Sequence, residues 1–347
     1  HILQTATMSS EEDVSNSPDH EMLQDFLHLT AKTTIVIGHC ILYYASTIPI
    51  FSILATFQEY KLWKKTSHPM SPFGLLKCFA VHATWMLLCL IGALAMLPMW
   101  AARGFGGSIE KEAFCAVEKL VAIGITIAFA GRVVMEGEDN IPPHSLDGCQ
   151  PPAPVFIANH SSVLDVTSLY VPLRRFKWVM KQSVKFIPGP GNICTLAGHI
   201  FLQRRGGKNA GKSKSSLFTK SDQTIQAGIP MMLFPQGTRR MGERLPFKIG
   251  AFKIARDNRS MVVPMSIHIP MGVWNSYYPI NRLWGVPLGE DNTITITVHK
   301  PIQVTADTDI DDLRDNCYNL IYSVLPVIQM AGDIKTVDGK DREKKTK

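Results

Sequence analysis

Two stretches, Thr33 to Phe57 and Phe79 to Trp100, contain no Lys, Arg, Asp or Glu. Each exceeds the roughly 20 apolar residues that carry a helix across the hydrocarbon core of a bilayer. His39 with Pro49, and His82 with Pro98, interrupt them only mildly. The simplest account is a two-helix membrane hairpin; the alternative is a pair of helices buried in a soluble core. Trp63 and Trp100 suit interfacial positions, and Lys61, Lys64 and Lys65 would hold the connector in the cytosol if both helices span. A third apolar stretch, Leu120 to Ala130, is shorter and follows Glu118-Lys119; it could return the chain across the bilayer or lie re-entrant or interfacial. Topology stays open at this level.

The flanking segments differ in texture. Residues 1–32 are read as a disordered tail, because Glu11, Glu12, Asp13, Asp19, Glu21 and Asp25 stand there before the first Lys or Arg, Lys32. Residues 33–130 are the membrane-associated helices. Residues 131–330 have the pattern of an α/β domain, and residues 331–347 form a charged tail. Strands are predicted at Arg132–Met135, Val155–Ala158, Trp178–Met180, His199–Gln203, Met231–Phe234, Met261–Ile267 and Thr293–Val298. Helices are predicted at Ser215–Ala227, with Gly228 as its stop, and at Asp309–Val327. Strands alternating with helices imply a mixed, largely parallel sheet flanked by helices.

Charge narrows the partners. Residues 151 to 260 hold 18 Lys and Arg against Asp165, Asp222, Glu243 and Asp257, so something anionic binds there. No zinc-finger spacing or single-strand-binding signature is present, and the apolar helices argue for lipid and against nucleic acid. The seven cysteines are widely spaced and sit in apolar surroundings, as small buried hydrophobes in a reducing compartment do.

The stretch Ala158-Asn159-His160-Ser161-Ser162-Val163-Leu164-Asp165 follows a short apolar run. Positions five apart on a helix lie about 140° apart and share no face, so His160 belongs to the turn before the helix and Asp165 to its first turn. Asp165 could then fold back onto one imidazole nitrogen, as an orienting carboxylate does for a general base. The competing reading is that Ser162 and Asp165 form a capping box and His160 is an ordinary turn histidine. Downstream, Met180-Lys181 to Gly191 is a basic, Gly-rich loop leading to Gly198-His199-Ile200-Phe201-Leu202-Gln203-Arg204. Phe234-Pro235-Gln236-Gly237-Thr238-Arg239 ends a strand in a tight turn presenting an arginine, and Val262-Val263-Pro264 opens another strand. Lys181, Arg204 and Arg239 suit phosphate.

In this order the clusters resemble the 1-acyl-sn-glycerol-3-phosphate (lysophosphatidic acid) acyltransferase family from about Gly131 to Val327. Asn159, His160 and Asp165 match its Asn-His-x-x-x-x-Asp motif. Lys181, Ile187, Pro188, Gly191, Gly198, Ile200, Phe201 and Arg204 match its second motif. The third, usually Phe-Pro-Glu-Gly-Thr-Arg, carries Gln236 in place of the glutamate; Phe247, Lys248, Gly250, Ala251 and Phe252 match the run that often follows. The resemblance implies the glycerolipid acyltransferase fold behind a membrane anchor. It also implies transfer of an acyl group from acyl-CoA to the sn-2 hydroxyl of lysophosphatidic acid, with no further cofactor and no metal. His160 and Asp165 are then the catalytic pair, and Arg239, Gly237, Thr238, Gln236, Lys181 and Arg204 bind substrate, with backbone N–H groups near Gly237 as candidate oxyanion donors. The absence of a Gly-x-Ser-x-Gly elbow, and of a cysteine paired with a histidine, leaves no candidate for an acyl-enzyme nucleophile. Gln236 keeps hydrogen-bonding capacity but loses charge, which bears on the acceptor.

Three alternatives stay open: acylation of glycerol 3-phosphate or another lysophospholipid; a non-catalytic membrane scaffold that kept the fold; and a nucleotide site, since Gly206 to Ser213 satisfies the phosphate-loop pattern. The terminal Lys344-Lys345-Thr346-Lys347 looks like a retrieval signal for the endoplasmic reticulum, which would place the active site towards the cytosol.

Overall fold

A computed structural model describes residues 18–64, 70–102, 110–142, 150–173, 175–203, 210–239, 244–275 and 293–326. It divides into two units, His1–Ile50 and Phe51–Lys347. The first contains the beginning of helix α1 (Pro18–Trp63). The acidic stretch read as a disordered tail is therefore helical from Pro18 onward. Pro18 suits a first helical position, and adding turns to an existing helix avoids a separate nucleation cost. In this unit Ile35, Val36, Ile37, Ile41 and Leu42 are all exposed.

In the second unit, the end of α1 turns a stripe of Ser52, Glu59 and Trp63 inward, each fully buried. Spacings of seven and four residues place these three on one helical face. Helix α2 (Pro72–Ala102) follows, and both α1 and α2 are long and apolar enough to cross a membrane. Helix α3 (Glu110–Ile125) runs into a π-helical turn, Thr126–Ala130. Ile125, Phe129 and Ala130 are buried in the same core cluster as the sheet, so the third apolar stretch packs as a domain helix.

The remaining order is β1 (Val133–Glu136), β2 (Val155–Ala158), α4 (Leu164–Ser168), β3 (Lys177–Lys181), α5 (Pro190–Leu196), β4 (Ile200–Leu202), α6 (Ala210–Gln226) and β5 (Met231–Leu233). Helix α7 (Gly250–Asp257), β6 (Val262–His268), α8 (Met271–Asn275), β7 (Ile294–Val298) and α9 (Ile310–Ser323) complete it. All seven predicted strands are present, and both predicted helices. The sheet order is β1-β7-β6-β2-β5-β3-β4, parallel throughout except for the antiparallel pair β6–β7.

Strand β2 is buried on both faces, which is why it reads as an unbroken apolar run. Its side chains alternate between two cores. Phe156 and Ala158 join Trp63, Val81, Ile125, Trp178 and Trp274, whereas Val155 and Ile157 join Leu217, Ile225, Phe252, Ile254 and Cys317. Helices α2 and α3 thus cover one face, and α6, α7 and α9 the other. Each large side chain fully buried in these layers stabilises the fold by about 1.5–3 kcal/mol. The parallel strands β2 and β5 lie side by side, so the loops leaving their C-terminal ends meet at one edge, where ligands bind in open α/β sheets.

Candidate active site

His160 lies just beyond the end of β2, outside any helix, and Asp165 sits in the first turn of α4, as the spacing predicts. Asp165 is fully buried, and its Oδ2 gathers three donors: His160 Nδ1 at 3.0 Å, Ser161 N at 2.5 Å and Ser162 N at 2.8 Å. Half of the capping box is present: Ser162 N donates to Asp165 Oδ2, but Ser162 Oγ accepts from Leu164 N and not from Asp165 N; the same carboxylate oxygen also meets the imidazole. An oxygen accepting two backbone N–H groups carries no proton of its own, so Nδ1 donates to it, and in the neutral ring Nε2 carries the lone pair. The ring is stacked on Phe234, with centroids 4.0 Å apart and planes 5° apart, and Phe234 stacks in turn on Trp178.

The rest of the motif fixes the backbone. Asn159 bridges to β6 at both ends of its amide: Nδ2 donates to Ile267 O at 2.8 Å, and Oδ1 accepts from Ile267 N at 2.7 Å. It continues the β2–β6 ladder after β2 has ended. Ser162 Oγ accepts from Leu164 N and from Trp274 Nε1. Trp178 Nε1 donates to Tyr170, whose phenol is held well above its ordinary range, first by burial and then by the Glu118 carboxylate.

Gln236, in the loop after β5, is also buried, and its Oε1 accepts the His160 backbone N–H at 2.5 Å. A neutral amide oxygen can accept this bond, so glutamine anchors the turn without the charge a glutamate would bring. Gly237 has φ +71°, and its N–H donates to Phe234 O at 2.9 Å. That N–H closes the turn. A Cβ at Gly237 would stand 2.5 Å from Lys248 Nζ. Thr238 is exposed beside it.

Arg239 is not open to solvent as a phosphate ligand read from sequence would be. Its Nη2 forms an ion pair with Glu59 Oε1, with the arginine side chain 15% exposed and the glutamate fully buried. Sequence reasoning missed Glu59, although it is the first acidic residue after the uncharged run of α1. Lys181 is exposed at the end of β3 and makes no hydrogen bond or ion pair with His160, Asp165 or Arg239 among the described residues. Arg204 lies outside the described residues, as do Gly206 to Asn209 of the phosphate-loop pattern and the terminal basic tail.

A second polar cluster was also missed. His199 Nε2 meets Glu118 Oε1 at 2.7 Å, Trp178 N donates to His199 Nδ1 at 3.2 Å, and Cys194 lies alongside; the three potential metal-ligating atoms fall within 4.8 Å of one another. Burial, reinforced by Glu118, pushes the Cys194 thiol well up, and both imidazole nitrogens already have partners. The arrangement is satisfied as a hydrogen-bonded pair joining α3 to the sheet. The Ile187-Pro188-Gly189 loop approaches α2 so closely that a Cβ on Gly189 would lie 2.0 Å from Met86 O.

The acyltransferase family model matches residues 132–268, which contain His160, Asp165, Gln236 and Arg239 but not Glu59, Glu118 or Trp274. Residues 132–268 form an acyltransferase-family domain. The sequence around the acyltransferase domain is similar to several curated 1-acyl-sn-glycerol-3-phosphate acyltransferases. One from Chlamydomonas reinhardtii is 31% identical over 212 residues, 60% of this chain and 58% of the relative. The human alpha enzyme is 28% identical over 201 residues, 57% and 63% respectively. One from Haemophilus influenzae is 27% identical over 256 residues, 71% and 92%. The chain spans about three fifths of the length of the first two. The crystal structure of the 1-acyl-sn-glycerophosphate (LPA) acyltransferase PlsC from Thermotoga maritima is 20% identical. It superposes with a TM-score of 0.45, covering 68% of this chain and 93% of that one.

Proposed function

We propose that the chain is a membrane-attached acyltransferase that moves a fatty acyl group from acyl-CoA to the sn-2 hydroxyl of lysophosphatidic acid, giving phosphatidic acid. The observation that carries this reading is the imidazole held by a buried carboxylate, with a half-buried arginine three residues beyond the Gln236 that accepts the His160 N–H, inside an acyltransferase-family domain. Nε2 of neutral His160 takes the hydroxyl proton as the oxygen adds to the thioester carbonyl. Asp165 stabilises the imidazolium that forms. The tetrahedral intermediate then breaks its C–S bond, and the proton passes from His160 to the departing thiolate. Arg239 holds the acceptor phosphate through its planar fork. Exposed apolar side chains on α1, with α2, support attachment to a bilayer, and we place the enzyme at the endoplasmic reticulum with its site towards the cytosol.

The test uses membranes carrying the full chain, supplied with labelled acyl-CoA and lysophosphatidic acid. Wild type is expected to form phosphatidic acid and His160→Ala to form none above background. Turnover unaffected by His160→Ala refutes the base assignment. Turnover only with glycerol 3-phosphate or another lysophospholipid reassigns the acceptor, and turnover with none of them favours a scaffold.

A further inference from the structure

The Arg239–Glu59 pair is an incomplete one. A buried ion pair offsets the cost of leaving water only when further hydrogen bonds satisfy the remaining lone pairs and protons. Here, beyond the single contact, Arg239 Nη1 and Glu59 Oε2 are buried with no hydrogen-bond partner among the described residues. Asp165 adds a second negative charge within electrostatic reach of Glu59. Such a group needs an explanation, and an anion with several acceptor oxygens arriving at the arginine supplies one. The carboxylate is also delivered deliberately: Ser52, Glu59 and Trp63 form the inward stripe of α1, so Glu59 is aimed at Arg239 by the same face that docks the helix.

We infer that Glu59 is a resident counter-anion occupying the place of the acceptor's phosphate on Arg239, and that a phosphate-bearing acceptor binds by exchanging with it. This rests on Arg239 being the phosphate ligand. The exchange replaces one single-contact carboxylate with a group offering three oxygens to the guanidinium, so phosphate wins, but only after displacing Glu59. An acceptor without phosphate leaves the pair untouched. Glu59 therefore weakens every phosphate ligand at this site in proportion to the strength of its own pairing, and sets the concentration range in which the acceptor is held. With Gln236 uncharged, Glu59 is the carboxylate that pairs with Arg239, and it comes from α1, outside the stretch matched by the family model.

The experiment compares wild type, Glu59→Gln, Glu59→Asp and Arg239→Ala as full chains in membranes. It measures KM for lysophosphatidic acid, KM for 1-acylglycerol, which lacks the phosphate, and inhibition by inorganic phosphate, with a thermal melt for each. Expected for Glu59→Gln is a fall of about fivefold in KM for lysophosphatidic acid and in the inhibition constant of phosphate, equivalent to about 1 kcal/mol. KM for 1-acylglycerol should not move. Glu59→Asp, which keeps the charge but withdraws it by one methylene, should show a smaller fall and serves if Glu59→Gln does not fold. A KM for lysophosphatidic acid that is unchanged or raised in the folded variants overturns the inference and makes Glu59 a strut for the arginine. If Arg239→Ala leaves that KM unchanged, the phosphate assignment itself fails.

Discussion

Replacing Asp165 with asparagine tests the catalytic pair most directly. All three donors converge on Oδ2, so the asparagine must put its amide oxygen there; the reverse orientation would turn an NH2 group against Ser161 N and Ser162 N. The turn therefore keeps its shape and Nδ1 its acceptor, and only the charge is lost. That charge matters when the imidazole becomes an imidazolium. Unit charges about 4 Å apart interact by about 4 kcal/mol at an effective dielectric of about 20. A barrier higher by that amount lowers kcat by roughly 10³-fold. KM for lysophosphatidic acid should stay within about twofold, because Asp165 does not touch the acceptor. Steady-state acylation with labelled acyl-CoA measures both, and the double variant with His160→Ala should be no slower than His160→Ala alone. A kcat within about tenfold of wild type, in protein that melts normally, would refute the argument that Asp165 stabilises charge on His160.

Other variants probe the supports. Gln236→Ala leaves the His160 N–H without its acceptor and should cost about 1–3 kcal/mol in stability, read as a lower melting temperature, with a fall in kcat. Gly237→Ala forces φ +71° on a side-chain-bearing residue and drives a methyl towards Lys248; about 1–2 kcal/mol of strain should appear as lost activity, and wild-type activity would contradict it. Glu118→Ala should destabilise by about 3 kcal/mol, since it deprives buried His199 of its partner, with kcat of the folded fraction preserved. Burial lowers the pKa of His299 below the ordinary 6.5. The unfolded chain thus binds more protons just below that value, and this contribution is complete above 6.5 and lost as pH falls towards the folded value. Melting temperatures compared between about pH 7.5 and pH 5.5 should fall less in His299→Gln than in wild type.

The strands were legible because buried parallel strands are unbroken apolar runs bounded by Pro and Gly, as Val155–Ala158 is after Pro154. The His160–Asp165 relation was legible for a geometric reason, since five residues cannot share a helical face. The Arg239–Glu59 pair was not, because it joins residues from separate elements and no local pattern encodes it. Phe234 was read only as the end of a strand, and its place under His160 depends on β5 lying beside β2, a neighbour relation that spacing along the chain does not reveal. Residues 120–130 stayed open in the sequence because an apolar run of that length suits a buried helix as well as a membrane segment.

The edge strand β1 has one partner in the sheet, β7, with Glu136 aligned to Thr297 and its carboxylate accepting from that hydroxyl 161 positions along the chain. A ribosome therefore releases β1 long before anything exists for it to pair with. Between those moments Val133, Val134 and Met135 present an open strand edge close to apolar helices, a state in which chains aggregate or recruit chaperones. A chain cut before residue 294 would keep His160, Asp165 and Arg239 and still lack the strand that joins β1 to the rest of the sheet.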